Sequence, residues 1–177
     1  MVLRVPGLAY QKGFGGHFHN DNSLTIFRDI PGIILAVPSN GADAVRMLRT
    51  AVKEAYHNGR VVVFIEPIAL YMTKDLYHEK DFKWVFEYPN VKEELPLGEF
   101  KTYGNSKTLT IITYGNGLYL SLQAQKEIGN DNIKIIDSMN GTLGLGAMVY
   151  KIASLNQSGE SFENILKVSE NRAIRTI

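Results

Sequence analysis

Apolar positions along the chain follow two periods. Ile33-Ile34-Leu35-Ala36-Val37 is a short continuous apolar run closed by Pro38, which predicts a strand buried on both faces of a parallel sheet. Ser39 and Asn40 are helix-capping residue types. From Ala42 onward Val45, Leu48, Val52, Ala55 and Tyr56 recur at three- and four-residue spacing until Gly59, predicting an amphipathic helix of about four turns. Val61 to Ile65 is a second β-branched run, so strand, helix and strand follow in order and a right-handed parallel crossover is expected. Val2 to Val5 before Pro6-Gly7 reads as the end of a strand running into a turn, as though the chain began in mid-fold.

From Tyr71 to Leu97 charges, aromatics, Pro89 and Pro96 are interleaved without a period, as suits a long surface connection between domains. The pattern then resumes. Thr108 to Tyr114 predicts a strand, Leu118 to Ile128 a helix ended by Gly129-Asn130, and Ile133 to Ile136 another strand, so a second α/β unit begins near Gly98. Leu145 to Leu155 has helical spacing through Met148, Val149 and Ile152, and Ser161 suits the cap of a last helix carrying Phe162, Ile165 and Leu166. The class is α/β, in two units, 1–97 and 98–177.

Lysine plus arginine exceed aspartate plus glutamate by a net charge of only +1, which leaves no broad basic surface for nucleic acid or an anionic membrane. The absence of cysteine excludes disulfides, thiolate catalysis and Cys-ligated zinc, and fits a reducing compartment. No apolar run approaches the roughly 20 residues that span a bilayer, and the first residues lack a signal-peptide core; a cytoplasmic location is the default expectation.

Candidate chemistry concentrates in Gly15-Gly16-His17-Phe18-His19-Asn20. Alternate residues of an extended segment point the same way, so His17 and His19 together offer a proton donor and acceptor, a metal ligand pair lacking a third partner, or simply a polar loop face. Asp43 and Glu66 follow the two strands closely, where open parallel sheets place functional groups, although a cap or a bond to a neighbouring amide is the more ordinary role for each, Asp43 above all. Gly144-Leu145-Gly146 before a helix suits an anion cradle but lacks the third glycine of a dinucleotide motif.

Taken together, Arg4-Val5-Pro6-Gly7, Gly15-Gly16-His17-Phe18-His19-Asn20, Pro31-Gly32-Ile33, Val37-Pro38-Ser39, Asp43-Ala44, Phe64-Ile65-Glu66-Pro67 and Leu70-Tyr71 resemble the beta subunits of thiamine-diphosphate-dependent 2-oxo acid dehydrogenases. The spacing continues through Leu95-Pro96-Leu97-Gly98, Leu109 to Tyr114-Gly115 and Ile135-Ile136-Asp137, so the resemblance covers about residues 1–137. It implies a transketolase-like pyrimidine-binding domain followed by part of a second α/β unit, within the oxidative-decarboxylating component of a pyruvate or branched-chain 2-oxo acid dehydrogenase complex. In that family the second histidine of the Gly-Gly-His-aromatic-His stretch lies beside the cofactor and handles protons. The resemblance therefore implies a catalytic role for His19 and a supporting one for His17. It also implies thiamine diphosphate with magnesium as cofactor, and an alpha-type subunit and dihydrolipoyl acyltransferase as partners. The glutamate that activates the cofactor ring lies upstream of Met1 in such proteins and the diphosphate motif belongs to the alpha-type part, so the chain is expected to be inactive alone. An open sheet edge is expected to pair with another chain, giving an oligomer.

After Asp137 the sequence departs from that pattern. Residues 133–177, with Ile136-Asp137-Ser138, Leu143-Gly144-Leu145-Gly146 and Gly159-Glu160-Ser161-Phe162-Glu163, resemble the DegV fatty-acid-binding family instead. That resemblance implies a hydroxyl at Thr142 for a lipid carboxylate, and a fusion of two families sharing the strand Ile133 to Ile136. A divergent beta subunit with a helix-entry turn at Gly144 to Gly146 is the alternative.

Overall fold

The structure, a computed structural model, describes residues 1–8, 24–106, 108–129, 133–139, 149–150, 152–155, 157–161 and 164. Its first unit is a sheet of three parallel strands, β1 (Val2–Gly7), β2 (Ile33–Ala36) and β3 (Val61–Pro67), in the order β1-β3-β2. The register runs from Val2 opposite Val62 to Gly7 opposite Pro67, and from Ile33 opposite Val61 to Ala36 opposite Phe64. The strand β1 continues through Pro6 and Gly7, where a turn was expected. Proline has no N–H for the ladder, but β1 lies at the edge of the sheet and loses nothing there.

The β-branched run fills the central strand because both its faces are covered. Val63 and Ile65 point into one core with Leu8, Leu24, Leu35 and Val37, and Val62 and Phe64 into another with Ala36, Met47 and Ala51. A short helix α1 (Thr25–Arg28) precedes β2. The long helix α2 (Gly41–Asn58) crosses from β2 to β3. Asn40 caps it, accepting from the Asp43 amide at 2.9 Å, and Gly59 ends it in the left-handed conformation at φ 63°.

The buried face of α2 differs from the stripe that hydrophobicity suggests. Ala42, Asp43, Met47, Thr50 and Ala51 face inward, while Val52 and Tyr56 are 54% and 84% exposed. Small residues let the helix approach the sheet closely. The two buried polar residues are satisfied: Thr50 Oγ1 donates to the Leu95 carbonyl at 2.7 Å, and Asp43 is ringed by donors.

The long connection proves to be ordered and attached at both sides. Asp81 accepts hydrogen bonds from the amides of Leu76, Tyr77, His78 and Lys83, and Asp75 from those of Lys80 and Phe82, so two carboxylates replace a regular ladder. Arg49 on α2 binds the carbonyls of Pro89, Asn90 and Glu93, and Arg46 pairs with Glu93. Trp84, 7% exposed, inserts beside Tyr119, Leu118 and Leu122 of the second unit.

That second unit holds β4 (Lys101–Tyr103), β5 (Leu109–Thr113), α3 (Asn116–Ile128) and β6 (Ile133–Asp137). Its sheet order is β4-β6-β5, with β5 parallel and β4 antiparallel to β6. The apolar run makes β6 the buried centre. The antiparallel β4 was not expected, since Lys-Thr-Tyr has neither an apolar run nor enough length to show alternation. In the tail, 149–150 and 152–155 are helical, and Ser161 Oγ accepts from the Asn164 amide at 3.2 Å as a capping residue does. Phe162, Ile165 and Leu166 lie outside the described residues.

Because Trp84 joins the connection to the second core, Trp84→Ala should destabilise the chain by about 3–5 kcal/mol. Denaturant unfolding followed by far-ultraviolet circular dichroism will check this; a loss below about 1 kcal/mol would show that the connection is not part of the core.

Candidate functional site

All three strands of the first sheet run the same way, and so do β5 and β6. Loops that leave their carboxyl ends are where open α/β sheets assemble sites. Here the carboxyl ends of β2 and β6 meet. The Val37 amide donates to the Met139 carbonyl at 3.2 Å, across from one unit to the other. Ser39 Oγ donates to Asp137 Oδ1 at 2.8 Å, and the Met139 amide donates to the same oxygen at 3.2 Å. Ser138 is held by its amide and its hydroxyl, which both donate to the Thr113 carbonyl at 2.8 and 3.0 Å. Gly115, at φ 56°, sits so close to the first unit that a Cβ there would lie 2.8 Å from Leu8 Cδ1 and 3.4 Å from Val37 Cγ1.

Two carboxylates are fully buried at this joint, Asp43 and Asp137, both at 0% exposure. Asp43 is well compensated: Asn40 Nδ2 donates at 2.7 Å, Arg46 Nη1 at 3.3 Å, and the Lys101 ammonium from β4 reaches across to the same carboxylate. Asp137 is less so, since among the described residues its Oδ2 has no hydrogen-bond partner. Burial pushes the Asp137 carboxyl up to about 6, against the hydrogen bonds from Ser39 and Met139 and with help from the charge of Asp43. Burial, then the charges of Asp137 and Asp43, also push the Tyr103 hydroxyl above its ordinary value. The arrangement can hold a proton near neutrality in a place water does not reach.

The other carboxylate that follows a strand, Glu66, lies on the helix-covered face of the first sheet. Arg4 Nε donates to one of its oxygens and the Tyr71 hydroxyl to the other. Burial acts upward on Glu66, but these two bonds outweigh it and hold the carboxyl below the usual range. Burial, and then the bond to Glu66, push the Tyr71 hydroxyl up to about 12. Asp43 and Glu66 thus each have a structural employment.

His17, His19, Thr142 and the Gly144 to Gly146 turn lie outside the described residues. The residues that flank the histidine segment are described: Leu8 and Leu24 are both buried in the core with Leu35, Val37, Val63 and Ile65, on the sheet face opposite α2. Asn116 Nδ2 donates to the Leu8 carbonyl at 3.4 Å, so the second unit abuts the point where that segment departs. The role of Asp137 was missed in the sequence, where it reads only as the residue ending a strand. A carboxylate directly after Ile133 to Ile136, with Ser138 beside it, is the signal that would have found it.

Among known proteins, the chain is 30% identical over 124 residues to the mitochondrial 2-oxoisovalerate dehydrogenase subunit beta of Dictyostelium discoideum, covering 70% of this chain and 29% of that protein. It is 28% identical over 140 residues to the corresponding subunit of Chaetomium thermophilum, 77% of this chain and 26% of that one. To the pyruvate dehydrogenase E1 component subunit beta of Rickettsia conorii it is 27% identical over 139 residues, 77% of this chain and 37% of that one. The chain therefore spans between a quarter and two fifths of the length of these relatives. A family model described as "Uncharacterised protein, DegV family" matches residues 118–177. Both resemblances read from the motifs are borne out. The second begins at Leu118, within α3, rather than near Ile133, so the two overlap over more than one strand.

The Asp137 carboxyl holds its proton more tightly in the folded chain than in the unfolded one, so its contribution to stability falls as pH rises from the ordinary carboxylate range to about 6 and is level above it. The Asp137→Asn variant has no such loss. Its stability relative to the parent chain should rise by roughly 2 kcal/mol between about pH 4 and pH 7.5, read from urea unfolding at a series of pH values. A difference independent of pH would contradict the raised value.

Proposed function

We propose that this stretch of chain serves the oxidative-decarboxylating component of a 2-oxo acid dehydrogenase complex as part of its beta subunit, with His19 acting on protons at a thiamine diphosphate site. The observation that carries the reading is the similarity to beta subunits over some three quarters of the chain. The placement of the flanks of the histidine segment supports it. Leu8 and Leu24, which flank that segment, are buried in one core, and Leu8 also meets Asn116 of the second unit.

Among the described residues no three His, Cys, Asp or Glu side chains converge as magnesium would need, so these residues do not fit the metal and its diphosphate. In this reading they are held by an alpha-type partner, and the cofactor supplies the electron sink for decarboxylation. The share of this chain is narrower. An imidazole with an unperturbed pKa near neutrality holds or releases a proton at working pH, and His19 does so beside the bound 2-oxo acid, with His17 in support. The acyl group passes to a lipoyl-bearing acyltransferase. The 177 residues alone do not turn over.

A second reading has its own observation, the DegV match over residues 118–177. In it the tail binds a fatty acid, with the Thr142 hydroxyl at the carboxylate. No helix among the described residues is long and apolar enough to cross a membrane. A cytoplasmic setting fits either reading.

In an assembly that supplies both an alpha-type subunit and the cofactor-activating glutamate of a beta subunit, acylation of a lipoyl carrier by pyruvate or 2-oxoisovalerate should fall by roughly 10²–10⁴-fold on His19→Ala substitution, with the partner still retained. Unchanged activity contradicts the assignment. Thermal unfolding of the chain separates the readings: a midpoint raised by palmitate and insensitive to thiamine diphosphate with magnesium selects the second.

A further inference from the structure

A cavity of about 400 Å³ lies on the face of the first sheet that α2 covers, away from the core that receives Leu8 and Leu24. Its walls are largely apolar: Val45 and Leu48 of α2, Phe64 of β3, Leu70, and the edge-to-face pair Trp84 and Phe86, whose rings are 5.3 Å apart. Cavities of this size, apolar with a few placed polar groups, are the usual form of a small-molecule site. Neither the histidine segment nor the joint accounts for it.

The polar groups around it decide what it can take. Asn40 is committed to Asp43 through both ends of its amide, Ser39 donates to Asp137, and Thr73 donates to the Ala69 carbonyl. Both oxygens of Glu66 are engaged, by Arg4 and by Tyr71. Arg4 spends only its Nε on Glu66. Its side chain is 64% exposed, and among the described residues its two Nη groups carry no bond. The Ser39, Thr73 and Tyr71 hydroxyls can still accept, and the cationic group among the lining residues is Arg4, whose Nη groups form a fork of donors. That fork fits a carboxylate, and the walls fit an apolar body.

We propose that the cavity binds a small apolar monocarboxylate, its carboxylate on the Nη groups of Arg4 and its hydrocarbon or aromatic part between α2 and the Trp84–Phe86 pair. The site is separate from any chemistry of His19 and does not rest on the function proposed above. Glu66 remains paired through Arg4 Nε and Tyr71, so the guanidinium is oriented before the ligand arrives and little ordering is needed on binding.

Calorimetric titration of the 177-residue chain with 4-phenylbutyrate and with the neutral 4-phenyl-1-butanol tests this. The carboxylate should bind saturably and at least about tenfold more tightly than the alcohol. Arg4→Gln should reduce the carboxylate to the affinity of the alcohol, and Val45→Trp, which fills the cavity, should remove both. Circular dichroism checks that the variants fold, and the comparison of the two ligands on the parent chain needs no variant. Equal affinity for the alcohol, no saturable heat from the carboxylate, or binding that survives Val45→Trp would each overturn the proposal.

Discussion

A carboxylate taken out of water must be met by donors, and Asp137 meets this requirement only by joining two parts of the chain. It ends the central strand of one sheet, and its Oδ1 is satisfied by Ser39, which follows a strand of the other. The Val37 to Met139 backbone bond and the seat of Met139 among Ala36, Met47, Val62 and Phe64 depend on the same approach. Asp43, four residues after Ser39 in the first turn of α2, is tied to β4 through Lys101. Breaking one partner would leave a buried charge uncompensated, a penalty larger than the net worth of the pair itself. The two sheets are therefore held in one arrangement by polar groups that tolerate few others, while the Trp84 insertion supplies the apolar part of the attachment.

This joint fixes where the loops go. Leu8 and Leu24, which flank the histidine segment, are buried on one face of the first sheet, Leu8 beside Asn116 and Gly115 of the second unit, and the cavity rimmed by Arg4 opens on the other face. The DegV match, from residue 118 onward, takes in most of α3 and all of β6.

Local chemistry made much of the fold readable. The runs Ile33 to Val37 and Val61 to Ile65, the Asn40 cap and the Gly59 stop announced a strand, a helix and a strand, because each is decided by neighbouring residues. What escaped was decided at a distance. The inward face of α2 carries Asp43 and Thr50, which look solvent-facing until Lys101 and Leu95 arrive to satisfy them. The ordering of the Tyr71 to Leu97 connection comes from carboxylates that bind amides, which leave no periodic trace, and β4 exists because β6 offers an open edge. Of the site, the motifs pointed to His17, His19 and Thr142 through family resemblance, whereas Asp137 and the Arg4 rim emerge only when strands distant in sequence are brought together.

Native-state hydrogen exchange tests most directly whether the joint makes one cooperative body of the two sheets. The amides of Val63 in β3 and Ile135 in β6 should exchange through a single opening with the same free energy, and the Val37 amide, bonded across the joint, should open with them. If Ile135 exchanges through an opening clearly cheaper than that of Val63, the sheets unfold separately and the buried Ser39–Asp137 contact does not hold the structure together.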